Sequence, residues 1–127
     1  MKVFDSSAVL AVLFEEPGAE LSARWMDEGP ALISSVNQVE VITRLIDQGA
    51  APAHAAATFA TLPLQVKVFT PEHAQLAAAL RVPTRALGLS LGDRSCLALA
   101  QSLVGATVIT ADRPWAKLKG FKISLIR

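Results

Sequence analysis

Short apolar runs alternate along this chain with longer stretches of helical periodicity. Val3-Phe4 is the first run, closed by Asp5, and Ala8 to Leu13 has helical composition until Glu16-Pro17-Gly18 breaks it. Ala19 to Asp27 predicts a second helix. Ala31-Leu32-Ile33, set between Gly29-Pro30 and Ser34-Ser35, predicts a second strand. The next helix begins near Ser35, carries Val36, Val39, Ile42, Leu45 and Ile46 at spacings of three and four, and stops at Gly49.

Pro52 opens an alanine-rich helix that ends before Pro63, and Val66 to Phe69 predicts a third strand. Thr70-Pro71-Glu72 supplies an N-cap, a proline at the first helical position and an acid in the first turn, for a helix reaching about Arg81. Ser90 is an N-cap for Leu91 to Val104, with Gly105 as the stop. Thr107-Val108-Ile109-Thr110 is a β-branched strand, and a short helix and a last strand, Lys122 to Leu125, complete the chain. Strands that alternate with helices, short and apolar on both faces, predict an α/β fold of three layers, α/β/α, around a central, mostly parallel sheet.

With 127 residues, 52% of them hydrophobic, the chain is read as one domain spanning 1–127. No apolar run approaches bilayer length, and Asp5 falls where a signal peptide needs an unbroken apolar stretch, so a cytoplasmic protein without membrane contact is expected. The single cysteine, Cys96, forms no internal disulfide and no zinc site by itself. The formal net charge of +1 conceals an asymmetry: residues 1–80 hold four basic and nine acidic residues, and 81–127 hold eight and two. That basic second part points to a polyanionic partner.

Four acids stand out against this pattern. Asp5 closes the first strand and Asp112 follows the fourth, the ends at which open α/β sheets bind ligands. Asp93 shares a helical stripe with Leu97, Ala100 and Val104, which turns it toward the sheet, although a carboxylate in a first helical turn also has a purely structural explanation. Glu40 follows Asn37 by three residues beside Val36 and Val39, with an i,i+4 pair to Arg44 as its alternative. Carboxylates gathered at about 4 Å repel by on the order of 4 kcal/mol per pair at an effective dielectric near 20. Such a cluster becomes favourable around hard divalent cations, and oxygen ligands suit Mg2+ or Mn2+ rather than zinc. Hydrolysis of a nucleic-acid backbone is the reaction it suits. Arg81, Arg85, Arg94, Arg113, Lys117 and Lys119 are the candidates for contacts to substrate phosphates.

The segments Val3-Phe4-Asp5-Ser6-Ser7-Ala8, Ser34-Ser35-Val36-Asn37-Gln38-Val39-Glu40, Leu89-Ser90-Leu91-Gly92-Asp93-Arg94 and Val108-Ile109-Thr110-Ala111-Asp112-Arg113 together resemble PIN-domain proteins of the VapC-type toxin class. The resemblance implies Mg2+- or Mn2+-dependent cleavage of RNA, homodimerisation, and inhibition by a cognate antitoxin. It assigns the metal and catalytic roles to Asp5, Glu40, Asp93 and Asp112, with hydroxyl support from Ser6 and Thr110 and further support from Asn37. Some relatives carry another acid shortly after the last one, where Trp115 follows Pro114 here, which implies weak holding of a second metal. The helices within Ser7 to Glu28 and Ala51 to Thr61 are expected to form partner surfaces. His73 is read as a surface residue, Cys96 and Met26 as core, and Trp25 and Trp115 as packing, interface or base-stacking residues. The alternative function is a catalytically inactive PIN-fold module that binds RNA or a protein. Phosphatase and phospho-receiver chemistry are disfavoured, because no second acid follows Asp5 at the required spacing.

Overall fold

The computed structural model describes every residue from Met1 to Arg127. Five strands, β1 (Lys2–Phe4), β2 (Ala31–Ser34), β3 (Gln65–Lys67), β4 (Thr107–Thr110) and β5 (Lys122–Leu125), form one sheet in the order β3-β2-β1-β4-β5. Every neighbouring pair is parallel, so the sheet expected to be mostly parallel is wholly so. Around it lie α1 (Ser6–Leu13), α2 (Ala19–Asp27), α3 (Ser35–Asp47), α4 (Pro52–Ala60), α5 (Pro71–Ala79), α6 (Arg81–Thr84) and α7 (Leu91–Gln101). Short 3-10 helices span Arg85–Leu87 and Arg113–Lys117.

The period of two along each strand separates two cores. Val3 pairs with Leu32 and Val108, so all three point to one face, where they pack with Leu97, Leu99 and Trp115. Phe4, Ile33 and Ile109 point to the other, against Val9, Met26 and Phe59. Both faces are covered, as an all-parallel sheet requires. The chain builds outward from β1 through β2 to β3, then returns to add β4 and β5 on the other side. The order reverses between β1 and β4, which opens a crevice at their carboxyl ends.

Several elements depart from the periodicity. On α3, Asn37 and Val41 are buried while Val39 is 63% exposed, because the first turns of this helix meet polar groups rather than apolar core. β3 covers Gln65–Lys67 instead of Val66 to Phe69, and as an edge strand it is exposed throughout. The helix read to Arg81 divides after Ala79: Pro83 has no N–H to offer the Ala79 carbonyl, so α6 starts a separate turn. His73 is buried, closing a capping box with Thr70 and lying 3.2 Å from Ser102 Oγ through Nε2. α7 ends at Gln101, where the Ser102 hydroxyl donates to the Leu99 carbonyl at 2.7 Å, and Val104 is left 96% exposed rather than joining the stripe. No helix is long and apolar enough to cross a membrane.

The end of α7 makes a direct test. Leu97→Ala should lower the unfolding free energy by about 2–5 kcal/mol, whereas Val104→Ala should stay within about 0.5 kcal/mol of the parent, both read from urea denaturation midpoints.

Candidate active site

Asp5 begins where β1 stops. Its backbone N–H donates to the Ile109 carbonyl at 2.9 Å, which ties the residue to β4, and its side chain is 4% exposed. The carboxylate Oδ2 accepts from Ser7 Oγ at 2.6 Å and from Thr110 Oγ1 at 3.0 Å. Those hydroxyls are themselves held: Ser7 Oγ accepts the Ala111 N–H at 2.9 Å, and Thr110 Oγ1 accepts the Asp112 N–H at 3.0 Å. The loop after β4 is thereby fixed to the first turn of α1.

Glu40 is placed by a second network. Its Oε1 accepts from Ser6 Oγ at 2.5 Å and from Asn37 Nδ2 at 2.7 Å, and it forms no ion pair with Arg44. Asn37 Nδ2 also donates to the Gly92 carbonyl at 3.0 Å, joining α3 to the start of α7. A Cβ on Gly92 would overlap the Glu40 carboxylate, so a larger residue there displaces Glu40 from its bonds to Ser6 and Asn37. One residue on, Asp93 closes a capping box: its Oδ2 accepts the Ser90 N–H at 2.9 Å, and its own N–H donates to Ser90 Oγ at 3.1 Å.

All four acids, with Ser6 and Ser7, line one open cleft of about 330 Å³ at the switch point of the sheet. Burial raises the Asp5 pKa from 3.8 to about 6, with Asp93 and Glu40 adding repulsion against the bonds from Ser7 and Thr110. Asp112 is also raised, by desolvation first and by Asp93 second. Beneath the acids, the fully buried Cys96 thiol is pushed well above its ordinary value, by burial first and then by the charges of Asp5, Asp93 and Glu40. No three of the acids stand in a ready coordination shell. Unneutralised carboxylates repel, and Glu40 and Asp93 each turn toward their own hydrogen-bond donors. The donor set nevertheless fits a hard divalent cation, since carboxylate and hydroxyl oxygens line the cleft and no thiol or imidazole does.

Sequence reasoning named the four acids, Ser6, Asn37 and Thr110, and these are the groups the fold brings together. It missed Ser7, whose bonds to Asp5 and Ala111 were foreshadowed only by its place two residues after a strand-end acid. It also missed Gly92, and Arg127, the one cation lining the cleft, whose guanidinium donates to the Pro17 carbonyl at 2.8 Å and lies 3.7 Å from Glu16. None of Arg81, Arg85, Arg94, Arg113, Lys117 or Lys119 lines this cleft. Arg94 is turned to the Ala77 carbonyl at 2.9 Å, and the other five are exposed. Trp115 is fully buried core, which removes it from base stacking.

Residues 2–120 match the family model described as PIN domain, and the chain belongs to that family. No curated protein matches it. Among solved structures it is similar to a toxin-antitoxin complex from Klebsiella pneumoniae, at 20% identity and a TM-score of 0.75, covering 100% of this chain and 98% of that one. A DNA-bound VapBC from Salmonella typhimurium matches at 17% identity and TM-score 0.74, covering 99% and 98% of the two chains. FitAcB from Neisseria gonorrhoeae matches at 17% and 0.68, with coverage of 99% and 98%. At these identities the likeness shows the fold.

Two expectations follow. The folded chain holds the Asp5 proton more tightly than the unfolded one, so metal-free stability falls as pH rises from about 4 to about 6, by about 3 kcal/mol from this group. Asp5→Asn should therefore raise the melting temperature at pH 7.5 in chelator, and the gain should vanish near pH 4. Gly92→Ala should destabilise, although alanine in a helix normally stabilises by up to about 1 kcal/mol. Adding Glu40→Ala should restore much of the loss, a coupling of about 0.5–3 kcal/mol in a double-mutant cycle.

Proposed function

We propose that this chain is a Mg2+- or Mn2+-dependent endoribonuclease of the VapC type, the toxin of a toxin-antitoxin pair, acting as a homodimer and silenced by a cognate antitoxin. One observation carries the reading: four carboxylates line the switch-point cleft, with the Asp5 pKa raised by burial first and then by its acidic neighbours. A cluster of this kind opposes folding unless cations neutralise it. The PIN-domain match and the likeness to toxin-antitoxin structures support the same reading.

Asp5, Glu40, Asp93 and Asp112 would hold the cation. When bound, the cation supplies Lewis-acid polarisation of the phosphodiester and compensates the carboxylate charge. The chain's own groups set the geometry. Ser7 and Thr110 fix the rotation of the Asp5 carboxyl, and Ser6 and Asn37 fix that of Glu40.

The test is cleavage of a mixed pool of structured and single-stranded RNA with manganese or magnesium, beside Asp93→Asn and a chelator control. Loss of cutting in both controls is expected; equal cutting by Asp93→Asn would refute the site. Saturating manganese at about 100 times its Kd should also stabilise the wild-type fold by about 2.7 kcal/mol, and Asp93→Asn by much less.

A further inference from the structure

A second concavity, of about 480 Å³, opens between α6 with its following 3-10 helix, the end of α7, and the loop that leads into β5. Leu80, Leu87, Leu118 and Phe121 make it apolar, and Lys117 and Lys119 stand exposed at its rim. No carboxylate lines it. Two more exposed cations, Arg81 and Arg85, flank the lining residues Pro83 and Thr84 in sequence without lining the concavity themselves.

The charges here are free. The ion pairs of the chain are Lys2 with Glu28 and Arg127 with Glu16, so Arg81, Arg85, Lys117 and Lys119 are all unpaired. The only acids after residue 80 are Asp93 and Asp112, and both belong to the first cleft. Two cations of the basic second part of the chain, Lys117 and Lys119, therefore stand at an apolar slot that no acid lines.

The occupant that matches is a polymer alternating anionic groups with flat apolar ones. A single-stranded nucleic acid does this, offering phosphates to the cations and an unstacked base to Phe121. A duplex keeps its bases stacked and leaves the slot unfilled. The 3-10 helix Arg113–Lys117 runs from directly after Asp112 to the rim; at about 2 Å rise per residue it spans about 10 Å. The exposed Arg113 lies on that path.

We propose that this groove is a second RNA-binding site, which captures an unpaired nucleotide of the strand whose backbone enters the carboxylate cleft. Assigning both contacts to one strand rests on the nuclease reading; capture of RNA by the groove does not.

The experiment is fluorescence anisotropy of a labelled single-stranded RNA with the full chain in chelator, where nothing is cut, over a salt series. Lys117→Glu with Lys119→Glu should weaken binding at least tenfold and reduce the slope of log affinity against log salt by about 1.4, two contacts at about 0.7 each. Phe121→Leu, which keeps the slot apolar, should weaken binding about tenfold with the slope unchanged. Arg24→Glu with Lys67→Glu, an equal charge change on α2 and β3, should do neither. Equal losses from that control pair, or no loss from the groove variants, overturn the proposal, as does competition by an acidic peptide as effective as unlabelled RNA. Groove-dependent binding by a wild type that fails to cut with manganese would uphold the groove and sink the nuclease reading.

Discussion

The structure turns on keeping a carboxylate at the junction of two central strands with no cationic side chain beside it. Asp5 is almost fully buried, and what it has instead of a counter-charge is two hydroxyls, from Ser7 and Thr110. Those hydroxyls also hold the backbone after β4, so the group that is hardest to bury is the one that locks β1, α1 and β4 in mutual position. The arrangement is tense by construction, because the raised pKa of Asp5 records a preference for the proton that the surrounding acids reinforce. A cation relieves that tension, so the fold and the proposed chemistry draw on one electrostatic imbalance.

The remaining acids depend on how closely two helices approach. Glu40 reaches the cleft because α7 presents a glycine at the crossing and because Asn37 spans from Glu40 to the Gly92 carbonyl. α3 therefore uses its buried face for a polar contact near the site and an apolar one, through Val41, a turn further on. The exposed Val39 follows from the same rotation.

This rotation shows where the sequence was readable and where it was not. The parallel three-layer fold was visible in the alternation of short apolar runs with helical stripes, and Asp5 and Asp112 were visible as acids at strand ends. Periodicity weighs only hydrophobicity, so it gave α3 the stripe through Val39 and could not see that Asn37 is the better-bonded residue. It likewise extended α7 to Val104, because a side-chain bond from Ser102 to a carbonyl leaves no trace in an apolar pattern. Gly92 was unreadable for a related reason: its role is an absence, and its need appears only once Glu40 is in place. The basic residues were legible as a class, but their separation from the acid cleft is a property of the loop that returns the chain to β5.

Cys96 gives the site a native reporter. It is the only sulfhydryl in the chain, fully enclosed on α7 directly below the acids, and its thiolate, the form that reacts, is suppressed by burial and by their charge. Alkylation must therefore wait for α7 to lift from the sheet. The labelling half-time reads how often the floor of the site breathes, with no probe engineered into the protein, and any ligand that ties α7 to β1 through the acids should be visible as a slower clock.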